Sequence, residues 1–117
     1  IWFVFVESAD RKRIVFDLAC FYTGAAARVA AAQDGEEANN DYYISNKSSR
    51  LRSAPLADDL RIHTVSLRLD PMNSMTPVSL ASWLQPGEGK ICPGEFCIVW
   101  LYINSGKITE IMEQYLP

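Results

Sequence analysis

One histidine, His63, and three cysteines, Cys20, Cys92 and Cys97, are the residues with which this 117-residue chain could do imidazole or thiol chemistry. Nucleophilic catalysis of the Ser-His-Asp or Cys-His kind needs a nucleophile held beside the imidazole. No elbow or comparable signature surrounds Ser66, Cys20 or Cys92, and His63 lies inside an alternating apolar segment, where it reads as a histidine at the surface or the core edge. Cys92 and Cys97 bracket Pro93-Gly94-Glu95-Phe96, a turn-like stretch able to bring two side chains together. Three states stay open for them. They are a disulfide, which in so short a ring would stabilise by about 2 kcal/mol, free thiols, or a zinc site that only Cys20 and His63 could complete.

Oxygen ligands offer less. Asp34, Glu36, Glu37 and Asp41, with Asn39 and Asn40, are closely spaced but miss the EF-hand pattern, and they read as a solvated loop. Glycosidase chemistry requires two carboxylates across a cleft, for which Asp58-Asp59 or Glu110 and Glu113 could be nominated only arbitrarily. Gly87-Glu88-Gly89-Lys90 has neither the spacing nor the strand-to-helix context of a phosphate-binding loop. No metal and no cofactor is therefore expected. The richest set is Tyr42, Tyr43, Asn46, Arg50 and Arg52, which joins adaptable hydrogen bonding to rigid aromatic area beside an irregular stretch. These five are the candidate binding residues. The competing reading divides the tyrosine pair between core and surface and leaves the arginines in a solvated loop.

A length of 117 residues fits one domain, 1–117, with a core of its own. Apolar residues at 49% and charged residues at 21% are ordinary for a globular protein. The net charge is −3 and the basic residues are scattered apart from Arg11-Lys12-Arg13 and the pair Arg50 and Arg52, so a concentrated basic face, and with it a nucleic-acid partner, is not expected. No run approaches the ~20 apolar residues of a membrane span, which excludes an integral helical segment. Residues 1–6 lack the basic and small-residue flanks of a signal peptide and read as a strand, although a signal could have been removed upstream.

The elements that must position the candidates follow from periodicity. Residues 2–7 and 13–18 read as strands joined by a polar turn. Thr23 is placed to cap an alanine-rich helix over 25–33, with Gly35 as terminator. A short strand follows at 41–46, then an irregular, Ser-rich stretch at 47–55 that ends in Pro55. Residues 61–69 alternate, with a slip at Thr64-Val65 that hints at a bulge. Thr76-Pro77 should cap a short helix over 78–84. Two apolar runs, 96–103 and 108–115, flank Asn104-Ser105-Gly106-Lys107 as a hairpin, the first buried on both faces and the second nearer an edge. The order implies an α+β fold, mostly antiparallel: a curled sheet of five to seven strands, or a small β-barrel, with two short helices packed on it. An open α+β sheet is the alternative.

Thr23-Gly24-Ala25-Ala26-Ala27, Asp34-Gly35, Asn40-Asp41-Tyr42-Tyr43-Ile44-Ser45-Asn46, Leu51-Arg52 with Pro55, and residues 106–117 together resemble small secreted or lipoprotein-type proteins of Gram-positive bacteria, a group without an assigned activity. The resemblance is patchy over most of the chain and excludes the Cys92 to Cys97 loop. It implies an extracytoplasmic setting and nothing about mechanism. The expected function is a non-enzymatic secreted or surface-associated domain that binds a protein or small-molecule ligand near residues 42–52. Two alternatives stand beside it: a small hydrolase whose site is assembled from distant residues, and an inhibitory or structural module that presents the 87–97 loop.

Overall fold

The computed structural model describes residues 1–64, 77–85 and 97–114. The elements are β1 (Trp2–Ala9), β2 (Arg13–Thr23), α1 (Gly24–Gln33), β3 (Tyr42–Ser45), β4 (Leu51–His63), α2 (Leu80–Leu84), β5 (Ile98–Asn104) and β6 (Lys107–Glu113). Strand order is β1-β5-β6-β4-β2-β3, and β1 also pairs with β2, which closes five strands into a barrel and leaves β3 as an addition on β2. Alternation explains the core. Val4 and Val6, Ile14 and Phe16, Val99 and Leu101 point inward from their strands and meet Ile62, Ile108 and Ile111.

The barrel is mixed, which corrects the expectation of a mostly antiparallel sheet. β4 and β6 run parallel, whereas β5 and β6 are an antiparallel hairpin. A parallel pair needs a long crossover, here everything from Thr64 to Gly106, and local patterning cannot announce which distant strands such a crossover joins. The same pairing removes the expected edge: β6 is bonded to β4 on one side and β5 on the other. Burial on both faces of the apolar run does hold at Cys97, just before β5, and at Ile98 and Val99, and β5 pairs with β1 as well as with β6.

A single strand of 13 residues, β4, runs from the second half of the stretch expected to be irregular into the start of the alternating one. Pro55 is tolerated for a geometric reason. The Leu56 N–H donates to the Lys12 carbonyl at 2.9 Å, so the preceding nitrogen, which has no hydrogen to give, lies on the edge away from β2. The irregularity of β4 falls farther on: Leu56 and Arg61 are five residues apart, while their partners Ile108 and Glu110 are two apart, which leaves three extra residues on β4. The expected bulge at Thr64-Val65 involves Val65, outside the described residues, as do 65–69.

The helix caps also differ. Thr23 has extended geometry at the start of α1 but makes no side-chain cap bond. Gly24 takes φ of +60° and Gly35 φ of +72° at the two ends, a region open to glycine at little cost. Ala27 and Ala31 are fully buried, so the small face of α1 lies close against its neighbours, β2 and β3. α2 is capped by Ser79, whose Oγ accepts from the Ser82 N–H at 3.1 Å, and not by Thr76, which is outside the described residues. Val78 forms a bridge to Ile62 in place of a first helical turn.

Candidate functional site

The ends of the parallel strands β4 and β6 define the two ends of the barrel. At their C-terminal end Trp83 of α2 is fully buried and belongs to the core. At their N-terminal end β4 pairs with β2 from Leu51 to Pro55, but its ladder with β6 starts only at Leu56 opposite Ile108. Residues 51–55 therefore run past the tip of the β5–β6 hairpin with no described strand on the side away from β2. An open groove of about 400 Å3 results, lined by Trp2, Phe16, Arg50, Arg52, Ala54 and Ile103 among others. Trp2 is 40% exposed, and its ring lies against Phe16 with centroids 5.7 Å apart.

Charge at this groove is not balanced locally. Among the described residues neither the Arg50 nor the Arg52 guanidinium takes part in an ion pair or hydrogen bond. Three further basic residues sit along the neighbouring strand pairings without lining the groove. Arg13 lies opposite Pro55, the Lys12 carbonyl receives the Leu56 N–H, and Lys107 opens β6 beside Gly106. The nearest acid in that turn, Asp10, is occupied: its Oδ1 accepts from the N–H groups of Lys12 at 2.7 Å and Arg13 at 2.9 Å. Those bonds hold its carboxyl below the usual value.

The five residues expected to form one site do not converge. Tyr42 and Tyr43 are neighbours on β3, so they point to opposite faces. Tyr42 stacks on Phe21 at 5.8 Å and 20°, in an aromatic cluster with Phe3 and Trp100. Tyr43 Oη donates to Asp34 Oδ2 at 2.9 Å. That bond lowers the Asp34 pKa and raises that of Tyr43. Asn46 Nδ2 donates to Asp17 Oδ2 at 2.9 Å, leaving Asp17 Oδ1 buried and without a donor. Only Arg50 and Arg52 share the groove. Trp2 and Phe16 were missing from the expected set. The available signal was parity: Trp2 shares the inward face of Val4 and Val6 but stands at the strand end, where that face opens.

The remaining chemistry-bearing groups are engaged elsewhere. His63 Nε2 lies 3.2 Å from Glu110 Oε1, each partly buried, which agrees with a histidine at the core edge. Asp41 pairs with Arg28 at 3.6 Å and Asp34 with Lys47 at 3.4 Å; no group of three potential metal ligands occurs among the described residues. Cys20 is an exposed free thiol. It lines a second groove of about 310 Å3 with Tyr22, Ser45 and Lys47, where the neighbouring thiol raises the Tyr22 pKa. The expected pairing of Cys92 with Cys97 and the 87–97 loop lie outside the described residues except for Cys97, which is buried. No helix among the described residues is long and apolar enough to cross a membrane.

No protein-family model, curated protein or solved structure matches the chain.

Proposed function

We propose that this chain is a non-enzymatic binding domain, displayed outside the cytoplasm, whose ligand seats in the groove between the first half of β4 and the β5–β6 hairpin tip. One observation carries the reading: two guanidinium groups without partners among the described residues stand beside a half-exposed tryptophan in an apolar groove. Burial of an aromatic anchor next to unpaired arginines is the composition from which binding hot spots are built. Groups that catalysis would recruit are spent on structure instead, Asp34 on Tyr43 and Lys47, and Glu113 on Trp83 and Thr64. Small five-stranded barrels such as the OB-fold take ligands across a barrel face and its loops, an analogy of architecture only. The extracytoplasmic setting rests on the resemblance described above and is compatible with a Cys92–Cys97 disulfide.

A thermal-shift screen of acidic, neutral and basic peptides and oligosaccharides, run on the wild type and on Arg50→Ala/Arg52→Ala, tests the site. At least one compound should raise the midpoint of the wild type and not of the variant. If every stabilising compound acts equally on both, the groove is not the site.

A further inference from the structure

We infer that the groove takes an extended acidic peptide, added as a strand to the free edge of β4; this rests on the reading of the groove as the binding site and names its ligand. The backbone carries the argument. In a strand, successive residues direct N–H and C=O to alternate edges. Leu56 N–H faces β2, where it donates to the Lys12 carbonyl, and the residues at the same parity, Arg52 and Ala54, do likewise. Leu51 and Ser53 then present their N–H and C=O toward the hairpin tip, where β6 does not yet run alongside. Among the described residues these groups have no partner. Two unsatisfied donors and two acceptors, bounded by Pro55, which has no N–H to give, make a short template for another strand, and strand addition to such an edge draws affinity from the main chain and specificity from pockets for alternate side chains.

The side chains select the sequence of the added strand. Arg52 lies opposite Phe16 in the β2–β4 register, so it shares the face on which Trp2 packs against Phe16. A peptide strand beside β4 would turn alternate side chains toward this face. An apolar or aromatic one would cover Trp2, and an acidic one would meet Arg52 or Arg50, both able to bind a carboxylate through two parallel N–H bonds. A second copy of this chain is the poorer occupant. Pairing the same edge with itself would set Arg50 and Arg52 against the same arginines, and like charges across a strand pair are unfavourable. Nucleic acid fits less well than peptide, because single-strand sites use successive exposed aromatic platforms and here one exposed ring, Trp2, faces the groove.

The test uses a short fluorescent peptide alternating Glu with Val and Tyr, followed by anisotropy at moderate ionic strength. Four comparisons accompany it: the same peptide with Lys in place of Glu, two versions N-methylated at one or the other alternate set of residues, an oligogalacturonate, and an oligothymidylate. The acidic peptide should bind and the lysine peptide should not. One N-methylated register should bind about tenfold more weakly than the other, as expected for loss of a few main-chain hydrogen bonds. Arg50→Ala/Arg52→Ala, whose positions are exposed and half-buried, should weaken the acidic peptide by about tenfold or more. Equal affinity for both N-methylated registers and the parent overturns strand addition. Binding of the oligogalacturonate or oligothymidylate in place of the peptide, lost in the double variant, overturns the peptide but leaves the groove as the site. Peptide binding that the double variant does not change overturns both.

Discussion

The indole N–H of Trp83 donates to Oε1 of Glu113 at 2.8 Å, and the hydroxyl of Thr64 donates to Oε2 of the same carboxylate at 2.8 Å. A helix side chain, the end of β4 and the end of β6 are thus joined at one buried acid, 5% exposed, and the barrel is closed there by polar bonds as well as by the bulk of Trp83. The open groove beside Trp2 lies at the other end.

Removing the shared acceptor should therefore cost more than a single contact. Glu113→Ala leaves a buried N–H and a buried O–H without their acceptor, and should destabilise the fold by about 3 kcal/mol. Glu113→Gln, which keeps an acceptor oxygen, should cost less. Urea unfolding of the two variants measures the difference, and equal losses would mean that the bonds to Trp83 and Thr64 contribute little to the plug.

The Asp34–Tyr43 bond makes a prediction about pH. Asp34 is lowered from 3.8 when folded, chiefly by the tyrosine hydroxyl. Its contribution is present above the unfolded value and is lost as pH falls through the folded one. Tyr43 is raised from 10.0 by the same bond, so its contribution is present below that value and is lost as pH rises through the folded one. Tyr43→Phe should lower the thermal midpoint slightly at neutral pH and flatten both the acid and the alkaline limbs. An unchanged acid limb would show that the bond does not couple the two groups in solution.

Much of the barrel was legible locally, and what was not depends on closure. Apolar runs bounded by turn signals identified β1, β2, β5 and β6, whose inward residues include Val4, Ile14, Val99 and Ile108. Alternation could not reveal that β4 runs unbroken through Pro55, since the missing N–H is harmless only on an edge that has no partner. It likewise could not show that Tyr42 and Tyr43 serve different clusters, or that Arg50 and Arg52 meet Trp2 from the far end of the sequence.

Cysteine chemistry offers a count. Cys20 is exposed and free whereas Cys97 is buried, so the native protein should alkylate first at Cys20. If Cys92 and Cys97 are paired, denaturation without reductant should add no further label, and reduction should expose the remaining two thiols. Intact mass reads the number of labels. Three labels on the denatured, unreduced protein would rule the disulfide out.

The hairpin tip that borders the groove is a two-residue loop with Ser105 at φ of +54° and Gly106 at φ of +77°. Positive φ at both central positions is the turn whose twist suits a tight hairpin, and it favours Asn-Gly over Ser-Gly. Ser105→Asn should accordingly stabilise the protein by about 0.5 kcal/mol, and Gly106→Val should destabilise it by about 1 to 2 kcal/mol, since a β-branched residue is strained in that region. No atom lies within 4 Å of where a Cβ on Gly106 would sit, so any loss comes from backbone strain and not from a clash. Chemical denaturation of both variants checks the sign. A neutral Gly106→Val would place the tip in another turn, and with it the free edge of β4 in a different groove.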